Sequence, residues 1–297
     1  MIHVVGSINL DLIATLPRLP GPGETLTGET FSTAPGGKGA NQALAARRAG
    51  ARVAMTGAVG RDPFAAQALA LLTSGGVDLS GVRETEAPTG TALILVGGDG
   101  ENMIAVIPGA NGLVARGVVE DLQIAMRDVL LLQQEIPAET VEAALAKARN
   151  AGALSILNIA PARPREARLA RLADIVVANE TEFDLYAAPL GLAGADREEK
   201  MADFARRSGR TMIVTLGGDG VVAATPEGMV RAPALPVKPV DTVGAGDTFC
   251  GYLAAGLAEG LKLEPALRLA AAAGSLACLK PGAQPAIPPR AEVDAAL

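Results

Sequence analysis

Short apolar runs alternate with longer alanine-rich runs along most of this chain. The short runs are apolar on both faces, which is typical of strands that are buried on both sides of a parallel sheet. Six runs have this form: residues 2–5, 53–56, 129–132, 154–157, 175–177 and 212–215. The helices predicted between them are residues 38–49, 63–74, 139–150, 198–208 and 245–258, with Gly50, Gly152 and Gly209 where C-caps would fall. The alternation predicts an α/β fold with a doubly wound, mostly parallel sheet between helices.

Two segments interrupt the alternation. Residues 11–33 contain Pro17, Pro20 and Pro22 between short β-prone pieces, and residues 91–107 are two β-rich runs around a glycine-rich turn. Together they predict a small antiparallel β flap, or lid, that leaves one edge of the main sheet. Residues 220–225 and 228–232 predict a further hairpin. No second-domain boundary is visible, so residues 1–297 are predicted to form a single domain into which the lid is inserted.

Composition excludes several classes of function. The net charge is −6 and no basic patch stands out, which argues against nucleic acid as a partner. No apolar run reaches the ~18 residues of a membrane-spanning helix, and the N-terminus does not resemble a signal peptide. The two cysteines lack metal-type spacing. We therefore expect a soluble cytoplasmic protein with neither a nucleic-acid nor a membrane partner.

The heptapeptide Asp-Thr-Val-Gly-Ala-Gly-Asp at residues 241–247 directly precedes a predicted helix. Gly244, Ala245 and Gly246 would form the start of that helix, where unpaired amides and the helix dipole favour an anion. A carboxylate within such a site is unusual. Asp247 would take a proton from a hydroxyl while the amides hold the charge on a transferring phosphoryl group. The alternative is a glycine-rich turn whose aspartate caps a helix.

A second glycine motif, Gly-Gly-Lys-Gly-Ala-Asn-Gln, occupies residues 36–42. Gly37 would let the backbone approach a ligand closely, and the helix that starts near Lys38 would present its N-terminus to that ligand. Asn41 lies one turn inside and would reach a hydroxyl. The spacing differs from that of a Walker A loop. The alternative is a glycine-rich helix start with an exposed lysine.

Polar residues follow the first strand. Asn9 and Asp11 are two residues apart, so they share a face in extended chain, and an amide with a carboxylate suits sugar hydroxyls. The alternative is an Asx turn. Glu135 follows the third predicted strand and would face the same crevice. His3 is the only histidine and lies within the first strand, so a general base must be a carboxylate.

Two further strand exits carry polar or glycine-rich segments. Asn179 and Glu182 follow the fifth strand and would orient water around Mg²⁺ near phosphates. The favoured alternative is an Asn N-cap with acidic residues in the first helical turn. Thr215, Gly217 and Gly220 follow the sixth strand and suit either a nucleotide or a simple turn.

The chain resembles the ribokinase-like (phosphofructokinase-B, PfkB) family of sugar kinases over nearly its whole length. The motifs that carry the resemblance are Gly-Ser-Ile-Asn-Leu-Asp (6–11), Pro-Gly-Glu-Thr (22–25), Gly-Gly-Lys-Gly-Ala-Asn-Gln-Ala (36–43), Gly-Ala-Asn (109–111), Asn-Glu-Thr-Glu (179–182), Asp-Thr-Val-Gly-Ala-Gly-Asp (241–247) and Gly-Ala-Gln-Pro (282–285). The motif at 36–41 and the Asn-x-Asp at 9–11 are closer to ribose-phosphorylating members than to fructokinases or nucleoside kinases.

The resemblance implies ATP-dependent phosphorylation of D-ribose at its 5-hydroxyl, with Asp247 as general base and Gly244, Ala245 and Gly246 as anion hole. It implies a sugar site of Asn9, Asp11, Gly37, Lys38, Asn41, Glu135 and Asp247. Asn179, Thr215, Gly217 and Gly220 would contact the nucleotide, and Glu182 would act indirectly on Mg²⁺. An activating K⁺ would lie between Asp241 and Val243 on one segment and Ala277, Lys280, Gly282 and Ala286 on the other. The lid would cover the sugar and join two subunits in a homodimer.

The alternatives within the family are kinases for deoxyribose, fructose or adenosine. A non-catalytic sugar-binding regulator would have lost the base or the anion hole, and both are intact. A dinucleotide-dependent dehydrogenase is disfavoured because no G-x-G-x-x-G follows the first strand. The chain departs from the family's usual Asn-Pro-Ala-Pro at Ile159, which replaces the first proline, and we expect this to affect a loop rather than the chemistry.

Overall fold

The computed structural model describes residues 1–297 and contains two β-sheets. The strands are β1 (Ile2–Val5), β2 (Asn9–Leu16), β3 (Thr30–Gly36), β4 (Val53–Gly60), β5 (Asp78–Thr85), β6 (Gly90–Gly97), β7 (Asn102–Ile107), β8 (Val129–Leu132), β9 (Leu154–Asn158), β10 (Ile175–Asn179), β11 (Thr211–Thr215), β12 (Val221–Thr225) and β13 (Gly228–Ala232). All six predicted core strands are present, as is the hairpin predicted at residues 220–225 and 228–232.

The main sheet has nine strands in the order β13-β12-β11-β10-β9-β8-β1-β4-β5. Every neighbouring pair from β11 to β5 is parallel, and only the pairs formed by the β12–β13 hairpin are antiparallel. From β1 the chain proceeds to β4 on one side and later returns to β8 on the other. In an open α/β sheet, ligands bind at the carboxyl ends of the strands where the order reverses. This topology therefore places a site beyond the ends of β1 and β8.

Eight helices cover the two faces of the sheet. They are α1 (Lys38–Arg48), α2 (Pro63–Gly75), α3 (Ala138–Ala151), α4 (Glu180–Ala187), α5 (Arg197–Ser208), α6 (Ala245–Ala258), α7 (Leu263–Ala277) and α8 (Arg290–Ala296). Successive residues of β8 enter opposite cores: Val129 and Leu131 pack with α1, α6 and α7, while Leu130 and Leu132 pack with α3 and α5. The prediction of a doubly wound sheet between helices is confirmed.

The lid is a four-stranded sheet in the order β3-β2-β6-β7. Its two outer pairs, β2 with β3 and β6 with β7, are antiparallel as predicted, whereas the central pair of β2 and β6 is parallel. The reason is topological. β1 and β5 are parallel, so β2 and β6 leave the same edge of the main sheet in the same direction.

Three local features differ from the sequence-based expectation. β5 was not predicted, because this edge strand is mostly polar and partly exposed and so lacks an apolar run. Helix α7 and the short α8 were also not among the five predicted helices. Helix α1 is capped by Ala49 rather than by Gly50, which follows it with a φ of 101°. Gly152 and Gly209 cap α3 and α5 as predicted, both in the left-handed region. None of the helices is both long and apolar enough to cross a membrane, and the cytoplasmic location stays a prediction.

Candidate active site

The N-terminus of α6 is open toward a cavity. Gly244 is its N-cap with a φ of 76°, and a Cβ at this position would lie 2.8 Å from the Cα of Ala283, so both the conformation and the space require glycine. The amides of Gly244 and Gly246 have no hydrogen-bond partner, whereas the amide of Ala245 donates to the carbonyl of Thr242 at 3.3 Å. The helix therefore presents unpaired donors at its positive end.

Asp247 lies in the first turn of α6 and is only 7% exposed. Its Oδ2 accepts a hydrogen bond from Asn41 Nδ2 at 2.9 Å, and its Oδ1 accepts one from Gln42 Nε2 at 2.8 Å. Both partners are neutral amides from α1. The carboxylate also lines a cavity of about 200 Å³ together with Lys38, Gly244 and Gly246. The negative charge of Asp247 is the largest cause of a raised pKa of Lys38. The predicted base and the predicted anion site thus lie side by side.

The remaining predicted sugar residues gather around this carboxylate. Asn9 and Asp11 both belong to strand β2, so the Asx-turn alternative is wrong. Gly37 has a φ of 88°, and a Cβ there would lie 2.7 Å from the backbone nitrogen of Asn9. Glu135 Oε2 accepts hydrogen bonds from Ser7 Oγ at 2.5 Å and from the backbone N–H of Lys38 at 3.0 Å. Glu135 therefore ties the start of α1 to the end of β1.

Asn111 orients one of these residues, although its sequence context predicted no role for it. Its Nδ2 donates to Asn9 Oδ1 at 2.7 Å, and its Oδ1 accepts the backbone N–H of Ile8 at 2.9 Å. This bond sets the orientation of the Asn9 amide, whose Nδ2 has no partner and remains available as a donor. The motif at residues 109–111 marked the position, but nothing in the sequence pointed to its contact with Asn9.

Three carboxylates share this site: Asp11, Glu135 and Asp247. Burial is the main cause that raises the pKa of Asp11 to about 6, and the charges of Glu135 and Asp247 raise it further. The ammonium group of Lys38 is the compensating positive charge. The cluster offers many acceptors and several donors in a small volume, which suits a ligand dense in hydroxyl groups.

A larger cavity of about 470 Å³ adjoins the first, and the two share Asn179, Thr215, Thr242 and Gly246. The predicted nucleotide residues Thr215, Gly217 and Gly220 line it, as does Asn179. The opposite wall is apolar and is formed by Leu235, Phe249 and Ala271. The cavity thus combines a glycine-rich polar rim with an apolar wall suited to a planar ring.

Asn179 and Glu182 form a capping box at the start of α4. Asn179 Oδ1 accepts the backbone N–H of Glu182 at 2.8 Å, and Glu182 Oε2 accepts the backbone N–H of Asn179 at 2.9 Å. This is the N-cap arrangement that sequence analysis favoured. Both residues also line the smaller cavity, and the capping box uses only Oε2 of Glu182, so its Oε1 is free of that contact. A single carboxylate fits Mg²⁺ that arrives with phosphates and keeps most of its waters.

The two segments predicted to hold K⁺ are joined by Asp241. Its Oδ1 accepts the backbone N–H of Val243 at 2.9 Å, and its Oδ2 accepts that of Gly282 at 2.8 Å. The backbone N–H of Val240 also donates to the carbonyl of Cys278 at 2.8 Å. A carboxylate with nearby carbonyls is a donor set that fits a hard cation. Lys280 directs its ammonium group away, toward Glu292, so only its backbone could take part.

Comparison with known proteins gives the family. The model of the pfkB family carbohydrate kinases matches residues 1–290. A ribokinase from Lactococcus lactis is 40% identical over 300 residues, covering 100% of this chain and 96% of the relative. The ribokinase structure from Thermotoga maritima has a TM-score of 0.91 at 32% identity, covering 99% of this chain and 98% of that one.

A structure of Arabidopsis thaliana ribokinase complexed with ribose and ATP has a TM-score of 0.87 at 31% identity, covering 99% of this chain and 97% of that one. The chain belongs to the pfkB family of carbohydrate kinases. Its activity is that of a sugar kinase.

The raised pKa of Asp11 predicts a pH-dependent cost to stability. The folded protein keeps this proton up to about pH 6, whereas the unfolded chain releases it near the usual pKa of 3.8. The free energy that the folded protein gains by binding this proton is therefore fully present below about pH 4 and is lost as the pH rises through 6. Above that pH the buried Asp11 carboxylate destabilises the fold. We expect Asp11→Asn to stabilise the protein by up to about 3 kcal/mol at pH 8 and by far less at pH 4. Urea denaturation followed by circular dichroism measures both values, and a difference independent of pH would contradict the assignment.

Proposed function

We propose that the protein catalyses ATP-dependent phosphorylation of D-ribose at the 5-hydroxyl to give ribose 5-phosphate. The observation that carries the proposal is the position of Asp247. Its carboxylate lies in the first turn of a helix with unpaired amides, lines the smaller of two adjoining cavities and is close to the polar side chains of Asn41, Asp11 and Lys38. The ribokinases to which the chain is similar support ribose as the acceptor and ATP as the donor.

Asp247 acts as the general base in this mechanism. The proton of the sugar hydroxyl passes to the carboxylate as the hydroxyl oxygen forms its bond to the terminal phosphorus. The bond from that phosphorus to the bridging oxygen breaks, and ADP leaves with the electron pair. The amides of Gly244, Ala245 and Gly246 stabilise the charge on the transferring group, with that of Ala245 first leaving its bond to Thr242.

The sugar is held by the polar cluster around Asp247. Asn9 donates through its amide group, while Asp11 and Glu135 accept from hydroxyls. Lys38 and Asn41 donate from α1, and Gly37 leaves room for the ring. Residues 1–297 act as one domain, and the lid strands carry Asn9 and Asp11 over the bound sugar. This arrangement positions the reacting hydroxyl and excludes water, which are the main requirements of phosphoryl transfer.

The nucleotide occupies the larger cavity, with its phosphates directed toward α6. Asn179, Thr215, Gly217 and Gly220 contact it along the polar rim. Mg²⁺ supplies charge neutralisation on the phosphates when bound, and Glu182 would act on it through water. K⁺ would be held by Asp241 and by the backbone of Val243, Ala277, Lys280, Gly282 and Ala286. The contacts of Asp241 with Val243 and Gly282 keep these segments, and hence the α6 N-terminus, in place.

We assign the exposed face of the lid strand β7 to the interface of a homodimer. β7 is an edge strand with all six residues exposed, and Met103, Ile104 and Val106 are each about half exposed. An edge strand with unpaired backbone groups and apolar side chains is a surface that native proteins cover. A second copy of the chain, packed lid against lid, covers it and stiffens the sheet above the sugar.

A substrate panel tests the proposed reaction. We expect the highest kcat/KM for D-ribose among D-ribose, 2-deoxy-D-ribose, D-fructose and adenosine, because the cluster offers partners for each ribose hydroxyl. Replacing Na⁺ by K⁺ at constant ionic strength is expected to raise turnover. Coupled detection of ADP gives the rates, and the product is identified by NMR. A higher kcat/KM for any other acceptor would show that the sugar is wrongly assigned.

Asp247→Asn tests the catalytic base. The variant keeps the size of the side chain and one acceptor oxygen, replaces the other oxygen by an NH2 donor, and cannot take the proton. We expect turnover to fall by roughly 10²–10⁴, while calorimetry shows ribose binding of similar affinity. Asp294→Asn is a matched control, because this carboxylate is exposed on α8 and pairs only with Arg290. Turnover of Asp247→Asn near that of the parent would refute the role.

Ile104→Lys tests the dimer. A charge in the middle of β7 would be buried in the proposed interface without a partner, so we expect the variant to sediment as a monomer at concentrations where the parent is a dimer. Met126→Lys is the control, because Met126 is 73% exposed and lies outside the lid. Analytical ultracentrifugation measures both. A monomeric parent, or a variant that stays dimeric, would contradict the assignment.

A further inference from the structure

Three buried amide side chains meet behind Asp247. Gln42 on α1, Gln133 just after β8 and Asn158 at the end of β9 are 0%, 0% and 7% exposed. Gln42 Nε2 donates to both Asp247 Oδ1 at 2.8 Å and Asn158 Oδ1 at 3.1 Å, and Gln133 Nε2 donates to Gln42 Oε1 at 2.7 Å. None of the three is among the predicted site residues. Together they join the catalytic carboxylate to the centre of the main sheet.

The direction of every hydrogen bond in this chain of amides is set by the backbone. Asn158 Nδ2 donates to the carbonyl of Val177 at 3.1 Å, and a carbonyl can only accept. Asn158 must therefore direct its Oδ1 toward Gln42, and Gln42 must donate to it through Nε2. Both hydrogens of Gln42 Nε2 are then used, one for Asn158 and one for Asp247. Gln42 is thus held so that it presents a donor to Asp247.

The backbone that carries Gln42 is held as firmly as its side chain. At Gly251 on α6, a Cβ would lie 2.6 Å from the backbone oxygen of Gln42 and 2.7 Å from the nitrogen of Ala46, so the two helices are in close contact. Gln133 lies against Gly6, where any side chain would overlap its Oε1. The amide chain therefore cannot shift relative to α6 without breaking packed contacts.

We propose that Gln42 is a positioning residue for phosphoryl transfer. It holds Oδ1 of Asp247 against the protein interior, so that Oδ2 is the oxygen that faces the sugar and takes its proton. Each oxygen has one amide partner, and a carboxylate oxygen accepts two hydrogen bonds. The partner of Oδ2 is Asn41, a predicted sugar residue, whereas the partner of Oδ1 belongs to the buried amide chain, so Oδ2 is the oxygen that receives the hydroxyl. This inference rests on the proposed function, because it takes Asp247 to be the base.

Gln42→Met separates positioning from packing. Methionine has a similar size but no donor, so the carboxylate of Asp247 is free to rotate. We expect kcat to fall by about 10- to 10²-fold, while KM for ribose changes little. Gln134→Met is the matched control: Gln134 is a neighbouring buried glutamine that bonds the hydroxyl of Tyr186. It is expected to lose stability similarly but to keep the parent's kcat.

Gln42→Glu gives a signature that a packing role would not produce. An ionised glutamate repels Asp247, but once the pair shares one proton the new carboxyl group donates its single hydrogen to Oδ1 and leaves only Asn158 Oδ1 without its donor. The ratio of the variant's kcat to the parent's should therefore rise as the pH is lowered. The other charged or titratable groups around the pair are Lys38, Asp11, Glu135, Glu182 and Cys250. These groups are present in both the parent and the Gln42→Glu variant, so their effect on kcat largely cancels when the two kcat values are divided.

The outcomes distinguish this inference from the proposed function. If the parent is active and Asp247→Asn is not, but Gln42→Met keeps the parent's kcat or the Gln42→Glu ratio is independent of pH, only the positioning role is overturned. If the parent transfers phosphate to no sugar of the panel, the proposed function fails and the positioning role with it. A fall in kcat with Gln42→Met, an unchanged kcat with Gln134→Met and a pH-dependent ratio together support it.

Discussion

The contact between helices α1 and α6 is the interaction on which the site depends. It places a carboxylate in the first turn of α6 and two amides of α1 against its oxygens. A buried charge is costly unless hydrogen bonds replace its water, and Asn41 and Gln42 supply these without neutralising it. Close packing of small residues makes the contact possible: Gly251 leaves no room for a side chain beside Ala45. The alanine-rich composition of these helices is therefore part of the active-site geometry.

The sheet supplies the other half of the site. Because the central strands are parallel, their carboxyl ends meet at one edge, and the residues that follow them lie near one another. Asn9 follows β1 and Glu135 follows β8, the two neighbouring strands at which the strand order reverses. Asn179 ends β10 and Thr215 ends β11, farther along the same edge of the sheet. The residues predicted to bind sugar and those predicted to bind nucleotide thus lie along one edge of the sheet. The lid is attached at this edge too, since β2 follows β1 after only three residues.

The grouping of three acidic side chains at this site costs stability. Asp11, Glu135 and Asp247 lie near one another with Lys38 as compensating charge, and Asp11 carries a raised pKa because of burial and its two acidic neighbours. A fold selected only for stability would not group three acids in this way. Hydroxyl groups need acceptors and a phosphoryl-transfer site needs a base, so the proposed function gives a reason for grouping these three acids.

The sequence by itself determined the core strands, the helices predicted between them and the glycine-rich helix starts at residues 36–42 and 241–247. Runs that are apolar on both faces indicate buried strands, and local residue types indicate where a helix begins. It did not reveal the polar edge strand β5, which has no apolar run, nor the parallel pairing of β2 and β6. Only the tertiary structure decided that Gln42 meets Gln133, Asn158 and Asp247, which lie 91, 116 and 205 positions away along the chain. The physical reason is that a hydrogen bond between distant residues depends on the path of the chain and the packing of its helices, and a local pattern carries neither.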